Sequence, residues 1–372
     1  MDRLTIRPLS STRDRNEFIR FLWNIYGKDP NWVPPLWIDR KKLMDKAKNP
    51  FYEHADAEFF LAERNGSVVG RIGAIVNHNH NKEHHDKVGF FGFFECIDDQ
   101  SVASALFDTA RDYLKARGMN AMRGPVTPSV NDEYGLLIEG FDKPAVILMP
   151  YNPPYYINLI EGYGLRKIKD LLSYILNQDK VYSEKLERVN NLVKERHGLI
   201  IRSLDMKHFD DEVQILKDVY NQAWTQNWGA VPMTEAEINA LAADLKPIVV
   251  PDLLIFAEKE GKTIGFGLSL PDINIPLRHN RKGRLIPGLI QMMLRKKEIN
   301  LCRIIVLGVL PEYLYTGAAG VLFYETAVRA KKLGYYYGDA GWILEDNEKM
   351  IRAAKMLNGE PYKRYRLYEM PI

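Results

Sequence analysis

The sequence predicts an α/β fold with α+β layering, arranged as two tandem domains that are each a mixed twisted sheet flanked by helices. Three observations lead there. At 372 residues the chain is too long for one core of roughly 150 residues, and two domains are the economical count. The run Phe60-Leu61-Ala62-Glu63-Arg64-Asn65-Gly66 returns at an offset of 195 as Ile255-Phe256-Ala257-Glu258-Lys259-Glu260-Gly261, with Gly70 and Gly265 following in each copy. Tyr113–Gly118 and Arg329–Gly334, at an offset of 216, each end an amphipathic helix with a C-cap glycine before a strand. The larger offset requires an insertion in the second copy, and Pro271–Asn300 supplies it.

In order, the first half reads as a strand at Leu4–Arg7, helices at Asp14–Tyr26 and Ile38–Asp45, and strands at Glu58–Glu63, Val68–Val76 and Gly89–Glu95. The Asn65-Gly66 and Glu260-Gly261 pairs mark tight turns, and Gly70 and Gly265 allow a bend or a close backbone approach. A helix at Val102–Arg117, a strand at Asn120–Arg123, a helix at Pro154–Glu161 and a strand at Lys167–Leu176 complete this half. The second half repeats the order. Its strands are Leu199–Arg202, Leu253–Glu258, Thr263–Ser269, Arg303–Val309, Tyr335–Ala340 and Tyr362–Tyr368, and its helices Asp211–Trp224, Glu235–Leu245, Ala318–Leu333 and Glu348–Leu357. The polar helix Ser183–Arg196 lies between, so the expected division is 1–176, a linker 177–198, and 199–372.

Composition narrows the function. A formal charge of +3 is too small for bulk electrostatics to predict nucleic-acid binding, and no nucleic-acid partner is expected. Cys96 and Cys302 each stand alone in apolar, strand-like surroundings, which suggests neither a disulfide framework nor a Cys-based zinc site. No signal-peptide core follows Met1, Asp2 and Arg3 and no apolar run reaches membrane-spanning length, so a soluble protein in a reducing cytoplasm is expected. Serine-hydrolase elbows, phosphate-loop lysines and zincin motifs are absent from the sequence.

The richest segment is Val309-Leu310-Pro311-Glu312-Tyr313-Leu314-Tyr315-Thr316-Gly317-Ala318-Ala319-Gly320-Val321-Leu322. A strand ending at Val309 runs into a turn of small residues that opens a helix, where unpaired N–H groups sit at the positive end of the helix dipole. Such a turn suits a pyrophosphate, and a side chain at Gly317 or Ala319 would hold phosphates off the backbone. This stretch resembles motif A of the acyl-CoA N-acyltransferase (GNAT) superfamily, through Val309, Pro311, Tyr313, Gly317, Ala319 and Leu322. Leu314 stands where the family carries Gln or Arg. Asn347 matches the family's Asn at the start of the last helix, Met350 takes an Ala position, and Ala354 replaces the Tyr that protonates the leaving thiolate. The chain as a whole resembles a tandem-GNAT bacterial family of the YghO-like type, with a two-lobed plan shared by the Fem aminoacyltransferases and N-myristoyltransferase.

The resemblance implies an acyl-CoA-dependent N-acyltransferase, with acetyl-CoA or another acyl-CoA as co-substrate and a small-molecule or peptide amine as acceptor. It places the coenzyme on Val309, Leu310, Tyr315, Gly317, Ala318, Ala319, Gly320 and Asn347 of the second domain. The matching turn of the first half, Cys96–Ser101, carries Asp98 and Asp99 and no glycine, so that domain reads as degenerate for coenzyme binding. Base candidates are Asp339 and Glu345, with Tyr324 as a hydroxyl donor. The acceptor is expected between the lobes on Thr127, Asn131, Tyr134 and Trp342. Two alternatives stay open: a non-catalytic GNAT-fold protein binding a CoA-like or peptide ligand, and a Fem-like aminoacyltransferase.

Three further segments carry weaker signals. Asn77–Asp86 holds four histidines in one connection, read as a solvated or cleft-lining loop rather than a metal site. Asn152 is expected to cap a helix with Pro154 in its first turn. In the insertion, Arg278, Arg281, Lys282 and Arg284 precede the apolar stretch Leu285–Leu294, and Arg295-Lys296-Lys297 follow it. Packing of that helix against the domain is expected, with an anionic membrane or an acyl chain as the alternative.

Overall fold

The structure, a computed structural model, describes residues 4–223 and 227–372. It divides into two compact units: Met1–Asp170 with Pro276–Leu294 and Lys363–Ile372, and Leu171–Ile275 with Arg295–Tyr362. The strands of the first part of the chain are β1 (Leu4–Pro8), β2 (Ala55–Arg64), β3 (Ser67–Asn77), β4 (Val88–Cys96), β5 (Ala121–Gly124), β6 (Val126–Thr127), β7 (Glu133–Tyr134), β8 (Leu136–Glu139) and β9 (Arg166–Asn177). Those of the remainder are β10 (Leu199–Ser203), β11 (Leu254–Lys259), β12 (Lys262–Pro271), β13 (Leu301–Val309), β14 (Tyr337–Leu344) and β15 (Glu360–Pro371).

In the first unit the strands run β1-β2-β3-β4-β5, and the C-terminal part of β15 pairs with β5 as the sixth. In the second they run β10-β11-β12-β13-β14, and Leu171–Asn177 of β9 pairs with β14 as the sixth. All these pairs are antiparallel except β4–β5 and β13–β14. The repeat extends to the register. Ala62 faces Gly70 with a bulge at the next step, and Ala257 faces Gly265 with a bulge at the same step. Both hairpins turn through two positive-φ residues, Asn65-Gly66 and Glu260-Gly261, as the right-handed twist of a two-residue hairpin requires.

Each sheet is covered by helices whose apolar residues recur at helical spacing. In the first unit the helix Gln100–Lys115 buries Val102, Leu106, Phe107 and Ala110 against β3 and β4. Gly70 has no side chain because Leu106 comes within 2.7 Å of where a Cβ would lie. On the opposite face the helix Thr12–Tyr26 sets Phe18 against Phe59 and Phe93. In the second unit the helix Ala318–Lys332 buries Val321, Leu322, Phe323 and Ala327. Burial of each large side chain contributes roughly 1.5–3 kcal/mol.

The units cut across the expected divisions at 176 and 199. In sequence β9 closes the first repeat and β15 the second, yet Leu171–Asn177 pairs with β14 inside the second unit and the end of β15 pairs with β5 inside the first, so sequence adjacency does not assign the sixth strand. The polar helix Glu184–His197 belongs to the second unit, where Asn190 and Lys194 reach Glu325. Residues Pro276–Leu294 of the insertion belong to the first unit. Locally, Asn152 does not cap the helix, which spans Tyr156–Tyr163; its amide instead brackets Leu137, accepting from the N–H and donating to the carbonyl. The histidine segment forms a helix, His78–His84. Trp224, the expected end of its helix, lies outside the described residues; the helix is described over Phe209–Ala223.

Candidate active site

In the second unit the parallel pairing of β13 with β14 runs only from Leu301–Ile304 against Tyr337–Ala340. Beyond it β13 continues on β12 as far as Val309, while β14 continues on β9 as far as Leu344. The strands part and leave a wedge at their C-terminal ends, where ligands of such sheets bind. Past Val309 and the buried Leu310, a short 3-10 turn over Pro311–Thr316 brings the chain to Gly317 in the left-handed region, at φ 74°. The helix Ala318–Lys332 begins there without a side-chain cap. Thr316 Oγ1 accepts from the Ala318 N–H at 3.2 Å, and the Ala319 N–H has no acceptor among the described residues. A Cβ on Gly320 would project into open space, and Tyr315 is exposed. These features fit an anionic group at the helix start. One side of the turn is walled by Val193, 3.3 Å from a Cβ on Gly317, and by His197 against the Tyr315 ring.

At the base of the wedge lies a buried polar cluster. Asp339 is fully buried; its Oδ2 accepts from Ser173 Oγ at 2.8 Å and from the Tyr362 hydroxyl. Its Oδ1 lies 4.0 Å from Arg303 Nε and makes no hydrogen bond among the described residues. Arg303 donates to the Gly341 carbonyl and sets its guanidinium 5.0 Å from the Trp342 ring. Glu345 is half-buried in the turn after β14. Tyr324 is buried on the helix Ala318–Lys332 with no hydrogen-bond partner for its hydroxyl among the described residues, and burial raises its pKa, so it stays a donor at neutral pH.

The first unit treats the same two places differently. Its helix after β4 is capped by Asp99, which accepts from the N–H groups of Ser101 and Val102 and pairs with Arg64 at 2.8 Å. Its wedge beside β4 is filled by its own chain: Thr127 Oγ1 accepts from the Phe93 N–H at 2.9 Å, and the Val126 carbonyl would lie 1.8 Å from a Cβ on Gly92. At the end of β4, Glu95 Oε2 accepts from Tyr26 at 2.6 Å and Tyr156 at 2.8 Å, and Oε1 lies 3.4 Å from Arg71. Burial pushes the Glu95 carboxyl upward against the opposing pull of Arg71 and the two phenols.

No family model matches the chain. Over 377 residues, 99% of this chain and 95% of the relative, it is 35% identical to protein YghO of Escherichia coli (strain K12). Over 380 residues, 99% of this chain and 98% of the relative, it is 34% identical to the bacterial ceramide synthase of Caulobacter vibrioides (strain NA1000 / CB15N). The chain belongs to the family of these two proteins. Among solved structures, a tandem GNAT protein from the clavulanic acid biosynthesis pathway superposes with a TM-score of 0.58 at 12% identity, over 99% of this chain and 98% of that one. A GCN5-related N-acetyltransferase from Sphaerobacter thermophilus superposes with a TM-score of 0.52 at 12% identity, over 100% and 96%. The fold of this YghO and ceramide synthase relative is therefore the tandem GNAT fold.

The structure places the expected site residues in different parts of the chain. Val309, Leu310, Tyr315, Gly317, Ala318, Ala319 and Gly320 are brought together by one strand, turn and helix start. Asn347 lies apart from that segment at the start of the helix Glu348–Met356, where its side chain accepts from the Met350 N–H and caps the helix. Thr127 and Tyr134 are buried in the β6–β7 hairpin. Asn131, at the hairpin's turn, donates its backbone N–H to Ser129 Oγ. Missed in the sequence were Arg71 and Glu95, and with them Tyr26 and Tyr156. Their signal was a single charge in each of two otherwise apolar strands, Val88–Cys96 and Ser67–Asn77, since a buried charge is kept only where partners satisfy it. Among the described residues no group of three or more His, Cys, Asp or Glu can hold a metal. His80, buried in its helix, has its pKa lowered to about 3 by desolvation.

Proposed function

We propose that the protein is an N-acyltransferase that joins the acyl group of an acyl-CoA to the amine of a long-chain amino alcohol. The observation that carries the reading is the family relationship, over 99% of the chain, to a bacterial ceramide synthase, since a ceramide is an N-acylated long-chain amino alcohol. The turn Leu310–Gly320 supports it, with an uncapped helix start, an open Gly320 and no carboxylate nearer than Glu312 along the turn.

In the proposed reaction the amine nitrogen attacks the thioester carbonyl, the C–S bond breaks, the nitrogen releases a proton to a base, and the thiolate takes up a proton. The Ala319 N–H and the helix dipole hold the coenzyme's pyrophosphate. Glu345, half-buried after β14, is the base candidate; Asp339, wholly buried, acts through Arg303 and Ser173 to hold the wedge open and is a positioning residue. Tyr324 offers the thiolate a protonated hydroxyl. Orientation of the two reactants supplies most of the rate.

The test incubates the purified protein with palmitoyl-CoA and sphinganine, following thiol release and product mass together. An amide that forms only when both are present is expected. Thioester hydrolysis without amide, or no consumption of either substrate, overturns the reading.

A further inference from the structure

The insertion helix Leu285–Arg295 turns the wrong face outward for a helix of a water-soluble domain. Its apolar stripe, Ile286, Leu289, Ile290, Met293 and Leu294, follows the helical i, i+3, i+4 spacing, and that stripe is the exposed one: Ile286 is 71%, Met293 81% and Leu294 75% exposed. The side pressed on the protein carries Gly288, where a Cβ would lie 2.9 Å from Asn280 Nδ2 and 3.1 Å from Leu36. Expected to pack its apolar residues inward, the helix packs through its smallest residue instead.

Its approach is held firmly within the first unit. Trp23 Nε1 donates to the Arg281 carbonyl at 2.7 Å and Trp37 Nε1 to the Lys282 carbonyl at 3.2 Å. Asn280 Nδ2 donates to the Arg284 carbonyl at 2.7 Å. Arg281 spends its guanidinium on the carbonyls of Gly27, Asp29 and Trp32. The exposed stripe is thus a fixed surface and not a loose segment.

The charged residues lining the groove beside it are all cationic. Arg20, Lys41, Lys282 and Arg284 line an open groove of about 770 Å³ beside Trp37 and Leu285, and Lys296 and Lys297 follow the helix. None of these six makes an ion pair among the described residues, and all six are exposed. Ile38, 53% exposed, lies on the same groove.

We propose that this face, the helix Leu285–Arg295 with the start of the helix Trp37–Leu43, docks on an anionic phospholipid bilayer. An eleven-residue helix is about 16 Å long, far short of a hydrocarbon core, so it lies in the interface with its stripe among the acyl chains. The groove cations meet the phosphates, and Trp37 sits at headgroup depth, where its amphipathic ring is favoured. A second copy of the chain is a poor occupant, because two such faces would press their unpaired cations together. The inference does not rest on the proposed reaction.

The test is sedimentation of the full chain with vesicles of phosphatidylcholine alone or of phosphatidylcholine and phosphatidylglycerol in equal amounts. Wild type is expected to bind the anionic vesicles and to be released as salt shortens the Debye length. The pair Ile286→Glu and Met293→Glu, at positions that touch solvent and leave the melting temperature unchanged, should weaken binding by about tenfold or more. Lys282→Ala and Arg284→Ala should each weaken it about fivefold. Failure of wild type to bind the anionic vesicles, or binding by the glutamate pair equal to wild type, overturns the proposal. So does a wild-type dimer in solution that Met293→Glu disperses, which would make a second copy the occupant.

Discussion

Gly70 faces Cys96 in the first unit as Gly265 faces Val309 in the second, so the two strand ends can be compared residue for residue. One step back along the pairing, the first unit opposes Arg71 to Glu95 and the second opposes Phe266 to Gly308. A few residues onward, the first closes its helix start with the Asp99 carboxylate, and the second opens it at Gly317. The second unit buries its own charged pair lower, where Arg303 faces Asp339 at the foot of the wedge. A duplicated sheet has kept its order, its bulge and its hairpin turn while exchanging which level carries charge and which turn is left open to an anion. Fold is conserved by the register; chemistry is decided at four or five positions.

The largest effect expected from breaking this contrast is at Glu95. Glu95→Ala leaves Arg71 buried opposite nothing and should destabilise the protein by about 3–5 kcal/mol in urea unfolding. Burial raises the Glu95 pKa, so the folded state holds a proton that the unfolded chain releases; the carboxyl's contribution to stability falls as pH rises from its ordinary value toward the raised one. Stability profiles of wild type and Glu95→Gln should therefore converge toward a flatter dependence in the variant over that window. A destabilisation below about 1 kcal/mol for Glu95→Ala would mean that the network is peripheral to the fold.

Asp339 sharpens the same comparison in the second unit. Asp339→Asn keeps acceptors for Ser173 and Tyr362 but removes the charge beside Arg303, at an expected loss of about 1.5–3 kcal/mol of stability. As a positioning residue it should lower the rate of amide formation without moving the pH profile. A profile that loses its acid limb in Asp339→Asn would make Asp339 the base in place of Glu345.

Much of this was legible beforehand, and the reasons for the rest are physical. The repeat at an offset of 195 located both hairpins and the glycines beside both bulges, because positive φ and close approach restrict residue choice. The turn at Gly317 was legible for the same reason. The destination of β15 was not: its alternating pattern fits an edge on either unit, and it pairs with β5. The insertion helix showed its stripe in sequence, but a stripe tells only that a face is apolar, and Gly288 turned it outward. The N-cap role of Asn347 before Glu348 was legible as well, since Asn ahead of a helical run is a usual cap.

A smaller effect tests the open turn itself. Gly320→Glu has room for its side chain, so folding should be preserved, yet it sets a carboxylate at the helix start. Affinity for acyl-CoA in calorimetry should fall by about tenfold or more. Equal affinity in wild type and variant would remove the coenzyme from this turn and with it the main structural support for the proposed reaction.

The smallest effect belongs to the closed turn. Asp99 holds the N–H groups of Ser101 and Val102 and pairs with Arg64, so Asp99→Ala should cost about 1 kcal/mol, the usual worth of an N-cap. Its hydrogen bonds from Ser101 and Arg64 lower its pKa to about 2. With the folded value below the unfolded one, the carboxylate's contribution is complete above the ordinary aspartate range and is lost as pH falls through about 2. The gap between wild type and Asp99→Ala, measured by urea unfolding, should therefore be constant near neutrality and close toward the acid end. Acyl-CoA affinity should not change, because the anion site is assigned to the other turn. If Asp99→Ala instead raised acyl-CoA binding to a second equivalent per chain, the first unit would be a coenzyme site held shut by one carboxylate, and the contrast between the two units would rest on Asp99 alone.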